Sequence, residues 1–294
     1  MRNLDDLIKK AKDYEMKRVV VVGAEDTEAL NAVSAAHDEG FADPVLVGDK
    51  EIIQENLKKI GKTFDIVHAE NSQDTAEKGI RLVSSGAADV VMKGNIKTSI
   101  LLKAALNKDW GLRTGNVLSH CAVLDTPYLD KLIFVTDGGM IIRPDLNQKV
   151  SIINNAVKLA KSLGIETPKV GVIAAVEVVN PDMPETKDAA ILTQMNRRGQ
   201  IKDCIVDGPL GIDNALDMTA AKIKKVTGEV AGQADILLVP DIHSGNFLGK
   251  SAVYLAGGKI AGLILGCSAP IVVVSRANDA QSKMASLALG VLNA

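Results

Sequence analysis

Aromatic residues and cysteines are scarce in this chain, and long apolar runs are missing. Phe, Trp and Tyr together make up 3% of the 294 residues, so few large rings are available to shape a ligand pocket. The three cysteines, Cys121, Cys204 and Cys267, are odd in number and far apart, which predicts neither a disulfide framework nor a metal site. No apolar run approaches the roughly 20 residues that a membrane-spanning helix needs. These shortages predict a protein of the reduced cytoplasm.

An excess of charge of either sign is also missing. The chain has 34 basic and 36 acidic residues, a formal net charge of -2. Binding to a nucleic-acid backbone or an anionic membrane needs a basic surface, so we predict neither partner. Residues 1–18 mix both signs in the pattern of an amphipathic helix, not that of a signal peptide. Any anionic ligand must therefore be bound by a local pocket.

Short β-branched runs alternate with helical patterns along almost the whole chain. VVVVG, residues 19–23, is typical of a fully buried strand, whereas residues 147–163 repeat apolar side chains every 3.6 residues until Gly164. Buried strands that alternate with helices predict parallel sheets covered by helices on both faces. The predicted fold class is therefore α/β. The glycine-rich segment 136–149 is the best candidate for a hinge.

Polar residues follow the strand DILLVPD, at a place where α/β proteins bind ligands through the N–H groups of a helix N-terminus. The segment SGNFLGKS, residues 244–251, is one residue short of a nucleotide-binding P-loop, and the first strand lacks the G-x-G-x-x-G pattern of a dinucleotide site. We predict a polar turn before a helix that begins near Phe247. That turn either binds phosphate or only caps the helix. Its candidate ligand-binding residues are Asp241, Ser244, Gly245 and Asn246.

Cationic and hydroxyl residues follow other strands or lie in turns. They form either an anion site at a helix start or a solvated surface, and the candidates are Lys93, Lys97, Thr98 and Arg113. Ser275 and Arg276 leave the apolar strand IVVV, which packing alone explains poorly. The carboxyl end of a buried strand is a position where chemistry is expected.

Two further chemistries lack their residue patterns. The four histidines show no metal-type pairing such as His-x-x-x-His, so we predict no metal site. No Gly-x-Ser-x-Gly elbow is present, and serine-hydrolase chemistry has no support. His120 falls in a strand pattern and is predicted to be a core or interdomain residue.

The chain resembles the phosphate acetyltransferase and phosphate butyryltransferase family, most closely its butyryltransferase branch. The resemblance rests on several blocks in the right order, which is far more specific than one short motif. The blocks include MKGNIKTSILLKAAL, GLRTGNVLSHCAV, FVTDGGM, RGQIKDCIVDGPLGIDNA, GQADILLVPDIHSGN and APIVVVSRA.

The resemblance implies a two-domain α/β fold related to isocitrate dehydrogenase, with the active site in the cleft between the domains. The C-terminal segment returns to the first domain in that architecture. The implied domains are residues 1–138 plus 264–294 and residues 139–263.

The implied reaction is reversible transfer of a short acyl group, butyryl in this branch, between coenzyme A and inorganic phosphate. It proceeds in a ternary complex without a covalent acyl-enzyme. The expected ligands are acyl-CoA, phosphate and acyl phosphate, with coenzyme A as a substrate and no other cofactor, and a homo-oligomer is expected. The family's Ser-Arg pair contacts the reacting groups, which carries over to Ser275 and Arg276. A guanidinium fork fits a phosphoryl group well.

Two departures leave the general base open. The acetyltransferase branch has an aspartate seven residues beyond the serine, where this chain has Ser282, and an arginine for coenzyme A where this chain has Lys103. Lysine keeps the charge but loses the bidentate geometry. Asp279 as the base, Ser282 acting through water, or no dedicated base are the three alternatives.

Other functions remain open for the same fold. The first is an acetyl-preferring enzyme. A dehydrogenase with the isocitrate-dehydrogenase fold would need a metal-binding aspartate cluster and a nicotinamide site, and neither pattern is found. A third alternative is a non-catalytic module that senses coenzyme A or phosphate.

Overall fold

The computed structural model describes residues 1–274 and 279–294. It is a mixed α/β structure with mostly parallel strand pairs, which confirms the predicted fold class. The strands are β1 (Lys17–Val22), β2 (Ala42–Gly48), β3 (Asp65–His68), β4 (Val90–Lys93), β5 (Ser119–Asp125), β6 (Ile133–Thr136), β7 (Lys169–Ile173), β8 (Ile205–Leu210), β9 (Ile236–Leu238), β10 (Lys259–Leu265) and β11 (Ile271–Val272). The helices are α1 (Leu4–Lys12), α2 (Thr27–Asp38), α3 (Lys50–Ile60), α4 (Ser72–Ser84), α5 (Thr98–Ala105), α6 (Leu146–Ser162), α7 (Pro184–Arg197), α8 (Ile212–Leu216), α9 (Met218–Ile223), α10 (Ile242–Tyr254) and α11 (Ala280–Leu292).

Packing contacts divide the chain into two compact units. The first unit contains 3–116 together with 261–294, and the second contains 117–260. The C-terminal segment therefore packs with the first part of the chain. The domain boundaries that the family resemblance implies, at residues 138 and 264, stay predictions.

The first unit has a sheet with the strand order β3-β2-β1-β4-β11-β10. All neighbouring pairs are parallel except β10 and β11. Val19, Val20, Val21 and Val22 are fully buried, as expected for a central strand covered on both faces. Helix α11 packs against α1 and α2. The carboxyl ends of β1, β4 and β11 therefore meet at one edge of this sheet, because parallel strands run in the same direction.

The second unit has the strand order β5-β6-β9-β7-β8. Only β5 and β6 are antiparallel, and the other neighbours are parallel. Apolar side chains of these strands and of α8 and α10 form its core, including Val135, Leu237, Ala215 and Ala252. The start of β5 lies at the same edge as the carboxyl ends of β6 and β9, since Cys121 pairs with Thr136 and Thr136 pairs with Leu238.

The helix predicted over residues 147–163 is confirmed as α6. Asp145 caps it by accepting a hydrogen bond from the Gln148 N–H at 2.8 Å, and the Gln148 side chain accepts from the Asp145 N–H at 2.9 Å. Gly164 follows with a φ of 96°, a left-handed conformation that suits glycine and ends the helix. None of the helices in the described part of the chain is long and apolar enough to cross a membrane.

Candidate functional site

Two glycine turns meet at the carboxyl edge of the first unit's sheet, one after β1 and one after β4. The Gly94 N–H donates to the Val22 carbonyl at 2.9 Å, and the Asn95 N–H donates to the Gly23 carbonyl at 2.6 Å. A Cβ atom on Gly94 would lie 2.2 Å from the Gly23 carbonyl oxygen. Gly23 itself has a φ of 83°. Only glycine allows the two backbones to approach this closely. The contact fixes the position of the end of β4, where Lys93 lies.

The residues of KGNIKTS lie where the sequence placed them, at the end of β4 and the start of α5. Lys93 is half-buried, and its Nζ donates to the Gly94 carbonyl at 3.2 Å. Lys97 is the N-cap residue of α5 and is exposed, and its side chain makes no capping hydrogen bond to a described residue. Thr98 is the first residue of the helix and is half-buried. The N-terminal end of α5 is therefore available to an anion without displacing a side-chain cap.

A cavity lies at this edge of the first unit, and we call it the β4 cavity. It is small, with a volume of about 20 Å³, and its lining includes Asp26, Glu28, Lys93, Gly94, Val274 and Lys283. Lys97, Thr98, Lys103 and Arg113 are not part of this lining. Lys103 and Arg113 are both exposed. Lys103 lies in the last turn of α5, and the backbone of Arg113 forms an isolated antiparallel β-bridge with that of Cys267.

Lys283 is a residue that the sequence reasoning missed. It lies in the first turn of α11, its side chain is 11% exposed, and its Nζ forms an ion pair with Glu28. Its neighbours in the helix are mostly buried small and apolar residues. The position of Lys283 directly before the apolar run MASLALGVL was the available signal, because lysine is almost never buried without an anionic partner.

Of the three candidate catalytic residues, the structure locates one. Ser275 and Arg276 lie outside the described residues, between Val274, which lines the β4 cavity, and α11. Asp279 is the N-cap residue of α11, and its Oδ1 accepts a hydrogen bond from the Ser282 N–H at 2.7 Å. Ser282 is buried. The carboxylate of Asp279 thus has a capping role at this helix.

In the second unit, the residues IHSGN that follow Pro240 and Asp241 are helical and do not form a turn before a helix. Helix α10 begins at Ile242, so the prediction of a helix start near Phe247 was wrong. The reason is Asp241, whose Oδ1 accepts from both the N–H and the hydroxyl of Ser244, each at 2.8 Å. The hydrogen bond from the Ser244 N–H lowers the pKa of Asp241 most, and the bond from the Ser244 hydroxyl adds a smaller effect, although burial acts in the opposite direction. Ser244 is therefore in the first turn of α10, beside an ionised cap.

Gly245 contacts the turn that follows β6. A Cβ atom on Gly245 would lie 2.6 Å from the Cα of Gly138, and a Cβ on Gly138 would lie 2.7 Å from the carbonyl carbon of Gly245. Gly245 and Gly138 are both buried, whereas Asn246 is exposed. The first turn of α10 and the glycine turn after β6 can touch only because both positions lack a side chain.

Asp137 organises that glycine turn and was not among the predicted site residues. It is 2% exposed. Its Oδ1 accepts from the N–H groups of His120, Gly139 and Met140 at 3.1, 2.9 and 2.9 Å, and its Oδ2 accepts from the Ile141 N–H at 3.0 Å. A buried carboxylate with four backbone donors holds the turn in one conformation. The TDGGM sequence is the signal that could have identified it, since Asp before Gly-Gly favours such local hydrogen bonds.

His120 lies in β5, as its strand pattern predicted, and is half-buried. Its Nδ1 atom is buried without a hydrogen-bond partner among the described residues. Burial lowers the pKa of His120, opposed by the Asp137 carboxylate. The ring packs against Gly139, where an added Cβ would lie 3.1 Å from the His120 Cγ. A neutral imidazole therefore borders the glycine turn.

The cysteines are poor nucleophiles in this structure. Burial raises the pKa of Cys204 and of Cys267 to about 11. Burial, assisted by the Asp137 carboxylate, raises the pKa of Cys121 further. Because the thiolate is the reactive form, little of it is present near neutral pH.

The chain is similar to known acyl-transferring enzymes along nearly its whole length. A family profile described as phosphate acetyl/butaryl transferase matches residues 3–71 and 53–291. A phosphate butyryltransferase of Clostridium acetobutylicum is 48% identical, with 99% of this chain and 98% of that protein aligned. A phosphate acetyltransferase of Thermotoga maritima is 41% identical, with 98% of this chain and 99% of that protein aligned. The crystal structure of a branched-chain phosphotransacylase from Enterococcus faecalis has a TM-score of 0.83 and 30% identity, covering 95% of this chain and 99% of that one.

Proposed function

The chain belongs to the phosphate acetyl/butyryl transferase family, and on that premise we propose that it moves a short acyl group, preferably butyryl, between coenzyme A and inorganic phosphate. The observation that carries the proposal is the 48% identity to a phosphate butyryltransferase over 99% of the chain. Acetyl transfer is the second candidate, supported by the 41% identity to a phosphate acetyltransferase. The acyl preference distinguishes the two.

In the proposed reaction, the thiolate of coenzyme A, formed when its thiol loses a proton to solvent or to a base, attacks the carbonyl carbon of an acyl phosphate. A C–S bond forms, and the C–O bond to phosphate breaks with its electron pair leaving on the phosphate. The tetrahedral intermediate carries an oxyanion beside a phosphate dianion, so cations and N–H donors are needed. We assign Arg276 to the phosphoryl group and Ser275 to a hydrogen bond with the sulfur or the carbonyl oxygen.

The remaining predicted residues are proposed to bind the substrates. In the first unit these residues are the cationic Lys93, Lys97, Lys103 and Arg113, together with Thr98 at the start of α5. In the second unit they are Asp241, which caps α10, and Ser244, Gly245 and Asn246 at the start of that helix. Raised pKa values of the cysteines support a ternary complex over a covalent acyl-enzyme, because a ping-pong route needs an activated nucleophile. The cytoplasmic location and the homo-oligomeric state stay predictions.

The function is tested by the release of free coenzyme A from butyryl-CoA. We expect release that depends on added inorganic phosphate, proceeds in the presence of a chelator, and is faster with butyryl-CoA than with acetyl-CoA. A thiol-reactive dye measures it, with acetyl-, propionyl-, butyryl- and branched-chain acyl-CoA compared. Binding of coenzyme A without turnover would identify a sensing module. Activity lost to a chelator and restored by one specific metal would contradict the metal-free mechanism.

Asp279 is proposed to act mainly as a helix cap. A general base contributes about 10²–10⁴-fold to a rate, so Asp279→Asn should reduce turnover by less than about tenfold if the carboxylate only caps. Asparagine caps as well as aspartate, so α11 should persist. The rate should rise towards alkaline pH as the thiol of coenzyme A ionises, since a free thiol has a pKa of about 8.5.

The matched control is Asp49→Asn, because Asp49 is the N-cap of α3 in the same way. Its Oδ1 accepts hydrogen bonds from the Glu51 N–H at 3.0 Å and the Ile52 N–H at 3.1 Å. Steady-state kinetics from pH 6 to 9 compare the two variants. A flat wild-type profile together with an inactive Asp279→Asn variant would identify Asp279 as the base.

A further inference from the structure

We propose that a basic groove in the second unit binds the phosphate chain of a polyphosphate compound, at a site separate from the residues proposed to bind the substrates. The groove lies between the C-terminal half of α6 and the loop that precedes β8, and we call it the α6 groove. Its lining includes Val157, Lys158, Lys161, Gln200, Lys202 and Asp203. The inference does not depend on the proposed function.

Positive charge exceeds negative charge in the α6 groove. Lys158, Lys161 and Lys202 supply three ammonium groups, Asp203 supplies one carboxylate, and all four residues are exposed. The Lys161 Nζ lies 3.4 Å from the Asp203 Oδ1 in a pair that water screens. Neither Lys158 nor Lys202 forms an ion pair within the described part of the chain. The groove therefore attracts an anion with several charges.

The loop that carries Lys202 and Asp203 is held in place by Asn196, near the end of α7. The Asn196 Nδ2 donates to the carbonyls of Ile201 and Cys204, each at 3.0 Å, and its Oδ1 accepts from the Val206 N–H at 3.0 Å. Ile201 is also buried. A loop fixed in this way loses little conformational freedom when a ligand binds, which favours binding.

Asp203 has an unusual backbone conformation. Its φ is 61°, in the left-handed region that residues other than glycine, asparagine and aspartate rarely adopt. Among the described residues other than glycine, only Asp203 and Lys225 have a positive φ. Such conformations persist where the surrounding structure enforces them, and they are common in ligand-binding segments.

The size and lining of the α6 groove indicate the class of ligand. Its volume is about 470 Å³, which lies within the range of small-molecule sites. The described residues that line it include no aromatic ring, so a nucleotide base would find nothing to stack on. Lys158 and Lys161 are three residues apart on one face of α6, and Lys202 belongs to the loop. Three point charges on two elements suit a chain of phosphates better than a single phosphate.

The α6 groove lies away from the proposed substrate-binding residues of this unit. Its helix leads into β7 and its loop leads into β8, and these two strands are parallel. The groove is therefore at the amino-terminal edge of the sheet. Helix α10 begins beyond the carboxyl end of β9, which is parallel to β7, and so lies at the opposite edge.

The proposal predicts opposite effects on the Kd for inorganic tripolyphosphate. Lys158→Gln combined with Lys202→Gln should raise it about tenfold, because an exposed charge pair changes binding by up to about fivefold and separate contributions add. Asp203→Asn removes the only carboxylate of the lining and should lower the Kd about threefold. Asparagine tolerates the left-handed conformation, so the loop should keep its shape.

Isothermal titration calorimetry at constant ionic strength measures the binding. The controls are Lys58→Gln combined with Lys59→Gln, and Glu55→Gln, because these exposed residues of α3 lie in the first unit and change the net charge by the same amounts. Both controls should bind tripolyphosphate like the wild-type protein. A titration with ATP distinguishes a free polyphosphate from a nucleotide, and ATP should bind no more tightly than tripolyphosphate.

Weaker binding in the lysine variant, tighter binding in Asp203→Asn and unchanged binding in both controls support the proposal. Wild-type binding in the lysine variant overturns it, as does an equal loss in the lysine control or the absence of tighter binding in Asp203→Asn. All substituted residues are exposed, so each variant should fold. Coenzyme A release, measured without tripolyphosphate, should be the same in every variant, so a failure of this site is distinct from a failure of the proposed function.

Discussion

Replacing Gly245 by alanine should lower the free energy of unfolding by about 3 kcal/mol and the Tm by roughly 5–10 °C. The added Cβ would lie 2.6 Å from the Cα and 3.0 Å from the N of Gly138, and these are backbone atoms that cannot rotate away. The glycine turn after β6 would have to move, although Asp137 holds it by three of its N–H groups. Turnover should fall by more than tenfold, because a displacement of about 1 Å in a positioning element can cost 10²-fold.

Gly249→Ala is the matched control for this substitution. Gly249 lies one turn further along the same helix and is also buried, and its added Cβ would meet only the side chain of Ile260, at 3.4 Å. Alanine is favoured over glycine inside a helix by about 1 kcal/mol, so this variant should be at least as stable as the wild-type protein. Thermal unfolding and coenzyme A release are measured for both. Equal stability and activity in the two variants would show that the contact between Gly138 and Gly245 is not tight.

Replacing Arg276 by alanine should reduce turnover by about 10²–10³-fold, the usual cost of removing one group that stabilises a developing anion. The reason is the charge of the transition state, in which the leaving phosphate and the carbonyl oxyanion lie side by side. A guanidinium fork pairs with phosphoryl oxygens in two parallel hydrogen bonds, which an ammonium cannot reproduce. Steady-state kinetics with butyryl-CoA and phosphate give kcat and the KM for phosphate.

Arg276→Lys separates charge from geometry. It should recover part of the lost activity, because it restores the positive charge without the fork. Thermal unfolding establishes that each variant is folded before its kinetics are compared. A folded Arg276→Ala protein with nearly wild-type turnover would remove this residue from the mechanism.

Local patterns were sufficient for the secondary structure in most places. The valine run of β1 indicated a buried strand because four consecutive β-branched residues suit a strand covered on both faces. The 3.6-residue period and Gly164 located α6 to within one residue at each end. The start of α10 was misplaced by five residues, since Asp241 accepts hydrogen bonds three residues ahead and so draws the SGN segment into the helix.

The sequence by itself determined the α/β class, the family and the positions of the polar residues that follow strands. Each of these is encoded in residues that are close together in the chain, either through strand and helix periodicity or through motifs of consecutive residues. The tertiary structure alone decided which of those residues lie together. Lys283 and Glu28 form an ion pair although they are 255 positions apart in the chain. Gly138, in the turn after β6, contacts Gly245 in α10. Such contacts depend on strand order and helix packing, which no local pattern specifies, and so the β4 cavity and its second lysine became visible only in the folded chain.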